Sequence, residues 1–168
     1  WNRVSLFSGN LGTLPDFPVT AGDRSMARVQ LELPEQFIYT HTINVRMTDL
    51  NTGKHVGNDQ MISLISEARY RFFCDFGFDQ FDSDGQSIVV TDLVATYKTE
   101  SFAQDDLQFE VGLMDFNKYG ADLIFRVTKQ PSGQLVVLAK QGFVFFDHQK
   151  HGVVPVPTAF REQFADLV

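Results

Sequence analysis

Along residues 35–47 the chain alternates, with Phe37, Tyr39, His41, Ile43, Val45 and Met47 on one side and Thr40, Thr42, Asn44 and Arg46 on the other. A period of two predicts a strand with one face on a core. Residues 48–58 are polar and carry Gly53 and Gly57, a density of breakers that predicts a loop. The period then changes: Met61, Ile62, Leu64, Ile65, Ala68, Phe72 and Phe76 recur at helical spacing. Asn58 stands where an N-cap belongs, and Asp59 puts negative charge at the positive end of the helix dipole. The spacing predicts one long helix over residues 58–76.

Beyond an acidic turn region at 77–86, residues 88–99, 107–116, 121–129 and 134–146 each read as a strand. Asn117-Lys118-Tyr119-Gly120 and Gln130-Pro131-Ser132-Gly133 are short turn sequences, so the last three strands form an antiparallel meander. The final strand is apolar on both faces, with Val137, Ala139, Phe143 and Phe145 opposed to Val136, Leu138, Val144 and Phe146. Such a strand lies centrally or against a partner. Residues 158–167 read as a short helix, capped by Thr158, that packs Phe160, Phe164 and Leu167.

Strands of this length span roughly 30–43 Å and the helix roughly 28 Å, so the helix is the one element long enough to cover the greasy face of the sheet. The expected class is α+β: an antiparallel sheet of about five strands wrapped around one central helix, the hot-dog architecture. Its open edges and doubly apolar last strand predict a homodimer or homotetramer.

Composition narrows the function. The 168 residues suit one domain, and 43% hydrophobic content with 17 Phe argues for a bulky core. Residues 1–25, rich in Gly, Pro, Ser and Thr, read as a leader, tag or flexible arm, and 26–168 as the single domain. A net charge of −7 opposes nucleic acid and anionic lipid as partners. No apolar run is long enough to span a bilayer. The single cysteine, Cys74, cannot form an internal disulfide and fits a reducing, cytoplasmic setting.

The chemistry sits between strand and helix. Arg46, Asp49, Asn51, His55, Val56 and Asn58 follow one another without a gap, and Glu67-Ala68-Arg69 lies in the helix. This resembles the hot-dog acyl-CoA and acyl-carrier-protein thioesterases of the 4-hydroxybenzoyl-CoA thioesterase-like family. Their signature runs Arg-x-x-Asp-x-Asp-x-x-x-His-Val-x-Asn, then a helix with Glu-Ala-Arg. The likeness continues more loosely through Tyr97, the Asp106-Leu107-x-Phe109-x-Val111 strand and Pro155-Val156-Pro157. It implies hydrolysis of an acyl-CoA or acyl-carrier-protein thioester to an acid and a thiol. Coenzyme A enters as part of the substrate, with no separate cofactor and no metal.

One position departs from the family. The second acid of Asp-x-Asp is the catalytic carboxylate in many relatives, and here it is Asn51. An amide can neither take a proton from water nor form an anhydride, although it can orient water or donate to a carbonyl. The charge must come from elsewhere. Asp59, in the first helical turn, is the first choice of base, and Glu67, two turns on, is the second. Asp49 is more often a loop staple. His55 polarises the carbonyl or positions water, while the backbone at Gly57 and Asn58 offers N–H groups to an oxyanion. Each residue also has an ordinary role: a dipole-complementing acid, an Arg-paired surface Glu, a loop-satisfying imidazole.

Arg126, Lys129, Lys140 and Lys150 are available for CoA phosphates, and Tyr70, Phe73, Phe76 and Phe78 for an acyl slot. Solvated charge and core packing are their default roles. Two other readings remain: a hot-dog enoyl-CoA hydratase or dehydratase, for which a His-Phe-Pro motif is missing, and a non-catalytic acyl-CoA-binding protein. Asp82-Ser83-Asp84-Gly85 has the wrong register for a calcium loop, with Gln80 at its first ligand place.

Overall fold

The computed structural model describes residues 29–78 and 85–167. The expected leader and the calcium-like stretch at 82–84 lie outside them. A six-stranded antiparallel sheet runs in the order β1 (Tyr39–Asn44), β3 (Asp106–Met114), β4 (Gly120–Gln130), β5 (Leu135–Asp147), β2 (Gln86–Tyr97). A short β6 (Gly152–Val154) adds to β5. Helix α1 (Asn58–Asp75) supplies Met61, Leu64, Ile65, Ala68, Phe72 and Phe73 to a core shared with Leu107, Phe109, Phe125, Val127, Val137 and Phe145 of the sheet. This is the hot-dog arrangement, with β3, β4 and β5 as the meander. The doubly apolar β5 is flanked by β4 and β2, so both of its edges are paired, while Leu138, Val144 and Phe146 on its second face are only half-buried.

Most strand ends shift by one or two residues from the sequence pattern, and three boundary differences have a local cause. The first strand stops at Asn44 rather than Met47, because Asp49 turns the chain. Its carboxylate accepts the Arg46 backbone N–H at 2.8 Å and the Arg46 guanidinium at 2.8 and 3.1 Å, closing a 3-10 turn over Met47–Asp49. Met47 is consequently 74% exposed despite its place in the alternation. The cap of α1 is Gly57, not Asn58, with no side-chain cap bond. At the C-terminus α2 covers only Thr158–Gln163, starts behind Pro157 rather than on a Thr158 cap, and gives way to a 3-10 turn over Ala165–Leu167. Its Phe160 and the following Phe164 are both buried.

The C-terminal end of α1 is sealed by rings. Phe160 packs against Phe73, Phe78, Phe143, Phe145 and Phe164 with centroids 4.8–6.1 Å apart. Phe72 stacks on Phe164 beside them, and Phe76 meets the same ring edge-on. Fully burying one such side chain is worth about 1.5–3 kcal/mol, so the short α2 is held by its aromatic residues and not by helix propensity. Among the described residues no helix is long and apolar enough to cross a membrane.

Candidate active site

The opposite end of α1 is held by polar contacts. Asp49, 1% exposed, fixes the turn that leads in, and the Arg46 guanidinium beside it holds its carboxyl below the usual carboxylate range. Residues 50–56 fold back on themselves: Leu50 bridges to Val56, the Asn51 N–H donates to the His55 carbonyl at 2.9 Å, and the Lys54 N–H donates to the Asn51 carbonyl at 3.0 Å. The Asn51 side-chain oxygen accepts the Gly53 N–H at 2.8 Å. Asn51 is thus a loop-closing residue, and its oxygen is already engaged.

His55 is oriented by the same loop. Its Nδ1 lies 3.2 Å from the Val56 carbonyl, which can only accept, so that contact needs the proton on Nδ1. Nε2 faces the Glu100 carboxylate at 3.9 Å. The Asn51 amide nitrogen, 3.5 Å from Nδ1, is a neighbour rather than a bonding partner, since both groups are donors.

Gly57 lies directly under the Asp59 carboxylate. A Cβ there would come within 2.5 Å of Asp59 Oδ1 and 3.6 Å of the Asn51 Cβ. The Asp59 carboxylate therefore folds back over Gly57, toward the position at which the family signature carries its second acid. The first-turn N–H groups of α1 have no intrahelical acceptors and no capping side chain, so the positive end of the helix is left open at this point.

A cleft of about 290 Å³ opens beside it, lined by His55, Val56, Asn58, Met61, Tyr97 and Ser101 among others. The Tyr97 hydroxyl donates to the Asn58 carbonyl at 3.2 Å. Its phenol is pushed up by burial and by the nearby Asp59 charge. The Ser101 carbonyl accepts the Val56 N–H at 2.8 Å, clipping the β2–β3 connection to the loop. Of the predicted residues, His55 and Asn58 line this cleft, joined by Tyr97, Glu100 and Ser101, while Asn51, Gly57 and Asp59 lie against one another beside it and are not in its lining. Local sequence carries no signal for Glu100 and Ser101, because only the sheet places a connection some forty residues away against the loop.

Glu67 stands apart. It accepts from Arg71 at 2.8 Å and lines a different cavity, of about 330 Å³, with Ile43, Asn44, Arg46, Ser63 and Leu64. The basic residues considered for phosphate are engaged within the protein: Arg126 with Glu110, Lys129 with Asp105, Lys140 with Asp92 and Asp122, Lys150 with Asp147. Of the aromatic residues considered for an acyl slot, Phe73, Phe76 and Phe78 belong to the ring cluster, while Tyr70 is 59% exposed. The apolar lining of the cleft comes instead from Met61, Val136 and Val137.

The profile of the thioesterase-like superfamily matches residues 45–164, from the Arg46–Asp49 turn through the aromatic seal. The chain belongs to the thioesterase-like superfamily. Solved structures share the superfamily fold. A probable thioesterase of Escherichia coli is 24% identical, with a TM-score of 0.67 over 77% of this chain and 98% of that one. A 1,4-dihydroxy-2-naphthoyl-CoA thioesterase from Synechocystis is 15% identical, with a TM-score of 0.70 over 77% and 96%. A Staphylococcus aureus protein solved with CoA is 17% identical, with a TM-score of 0.73 over 82% and 87%. At such identities the likeness is one of fold. No curated protein matches this chain by sequence.

Proposed function

We propose that this protein is an acyl-CoA thioesterase whose active site is the cleft at the N-terminus of α1. The observation that carries the reading is the convergence, on one cleft, of an open helix N-terminus, the signature His55 and an apolar wall formed by Met61, Val136 and Val137. The thioester carbonyl lies at the N-terminus of α1, where backbone N–H groups stabilise its developing negative charge. One such donor is typically worth about 3 kcal/mol. Asp59 takes a proton from water, whose oxygen attacks the carbonyl carbon. As the tetrahedral intermediate collapses, the C–S bond breaks and the CoA thiolate leaves with the bonding pair. His55 holds the carbonyl or the water from the other side of the loop.

Asp59 is favoured over Glu67 because it folds over Gly57 beside Asn51, whereas Glu67 is paired with Arg71 at a separate cavity. Lys98, in the cleft wall, and Lys54, next to His55, form no ion pair among the described residues and are the cations proposed to meet CoA phosphates. CoA is favoured over carrier protein by the S. aureus fold relative solved with it. A homodimer, alone or within a tetramer, is proposed through β2. That strand closes the sheet on one side, its outer edge unpaired among the described residues, and its Val89 and Val90 are 38% and 37% exposed. The protein is read as cytoplasmic, consistent with its lone cysteine.

Thiol release from a chain-length series of acyl-CoAs tests the activity. Wild type is expected to liberate CoA, and Asp59→Asn to lose most turnover while Glu67→Gln keeps it. Binding without release identifies a non-catalytic acyl-CoA protein. Hydration of enoyl-CoA with the thioester intact identifies a hydratase.

A further inference from the structure

Ser101 forms part of the cleft wall and is only 2% exposed. Its hydroxyl is the one buried side-chain polar atom without a hydrogen-bond partner among the described residues. The residue is fixed in place by its carbonyl, which accepts from Val56 at 2.8 Å. Neighbouring polar groups do not answer it. The Tyr97 hydroxyl donates to Asn58, His55 Nδ1 donates to Val56, and the Glu100 side chain is 66% exposed. On its apolar side the cleft is bounded by buried Met61, Val136 and Val137, which are 2%, 1% and 0% exposed. A hydroxyl left unpaired in such surroundings costs free energy, and a ligand group that completes its hydrogen bond recovers it.

We propose that Ser101 is a specificity-determining residue: the cleft favours a compact acyl group carrying a hydroxyl or oxo substituent close to the thioester over the unsubstituted alkyl chain of the same length. This rests on the thioester reading above. The acyl group, not the pantetheine arm, is the natural occupant of the apolar side of the cleft, while the polar arm leads out past Lys98 and Glu100. A volume of about 290 Å³ falls at the lower end of the roughly 300–1,000 Å³ found for ligand pockets, which suits a short acyl chain. A purely apolar pocket separates the two substrates weakly. A pocket with an unanswered polar atom rejects the one that cannot hydrogen-bond to it.

The experiment compares kcat/KM for hexanoyl-CoA, 3-hydroxyhexanoyl-CoA and 3-oxohexanoyl-CoA by thiol release, in wild type, Ser101→Ala and Ser101→Thr. Wild type is expected to prefer at least one substituted substrate by about tenfold or more. Ser101→Ala should bring that ratio to about one, chiefly by losing rate on the substituted substrate. Ser101→Thr, which keeps the hydroxyl, should retain the preference. The melting midpoint of Ser101→Ala should equal or exceed that of wild type, since no protein hydrogen bond is removed and an unpaired buried hydroxyl is. A wild-type ratio at or below one for both substituted substrates overturns the proposal without any variant, as does an unchanged ratio in a folded Ser101→Ala. If wild type releases no CoA from any of the three or from the chain-length series, it is the thioester reading that fails.

Discussion

The two ends of α1 are built on opposite principles. At the C-terminal end, Phe72, Phe73 and Phe76 meet Phe160 and Phe164 in a ring cluster with centroids 5.1–6.1 Å apart, and only a small cavity of about 210 Å³ lies beside Phe76 and Phe164. At the N-terminal end the same helix begins on a glycine with no capping side chain, and its surroundings are a polar loop, a buried carboxylate and a cleft. Rings close space because dispersion and burial reward contact everywhere. Directed hydrogen bonds can hold a loop in shape and still leave a space next to it. A helix anchored at one end by packing can therefore carry an exposed dipole at the other, which is the arrangement that charge stabilisation in a cleft requires.

Changing the two ends separately should affect different properties. The largest effect on stability is expected at the sealed end, where Phe160→Ala removes a fully buried ring and should cost about 3–5 kcal/mol. Denaturant unfolding measures it, and turnover per folded molecule should stay near wild type. A folded Phe160→Ala protein with badly reduced turnover would mean that the ends are coupled. At the open end Asp59→Asn is expected to lower kcat by about 10²–10⁴ with little change in the unfolding midpoint, read by thiol release and calorimetry on one preparation.

Asp49→Asn probes the staple beneath the open end. The Asp49 carboxyl is buried and held below its usual range by hydrogen bonds from Arg46, so the folded protein binds that proton more weakly than the unfolded chain does. The stabilisation is present above the ordinary carboxylate pKa of about 4 and is lost as pH falls through the depressed folded value. The exposed Arg46 partner argues for the low end of the scale, about 1–2 kcal/mol. Unfolding midpoints of wild type and Asp49→Asn should differ by a constant amount above pH 5 and converge below about pH 4. A difference unaffected by acid would place the contribution of Asp49 in packing and not in charge. The smallest effect is expected at the mouth. Lys98→Ala should raise KM for acyl-CoA several-fold with kcat nearly unchanged, as loss of uniform binding does.

Much of this was legible because each element carries its own period. The alternation in β3 and the helical stripe of α1 are local facts, and their lengths left the helix as the cover for the sheet. The boundaries that shifted did so through side-chain contacts which periodicity ignores: Asp49 reaching back to Arg46 ends β1 early, and Gly57 takes the cap from Asn58. The loop half of the site was legible in the same way, since Asn51, His55, Gly57, Asn58 and Asp59 are contiguous. Glu100 and Ser101 were not, because the β2–β3 connection reaches the loop only after β1 pairs with β3 and β5 pairs with β2.

By itself the sequence determined the elements, their class and the stretch proposed to carry the chemistry, because hydrophobic period, turn residues and a contiguous motif are properties of neighbours along the chain. Tertiary structure alone decided which acid stands beside Asn51, that the late basic residues are engaged with carboxylates, and that a serine hydroxyl is left unanswered in the cleft. Those are outcomes of distance in space. Distance in space is set when the sheet closes on the helix and brings remote residues into one low-dielectric site.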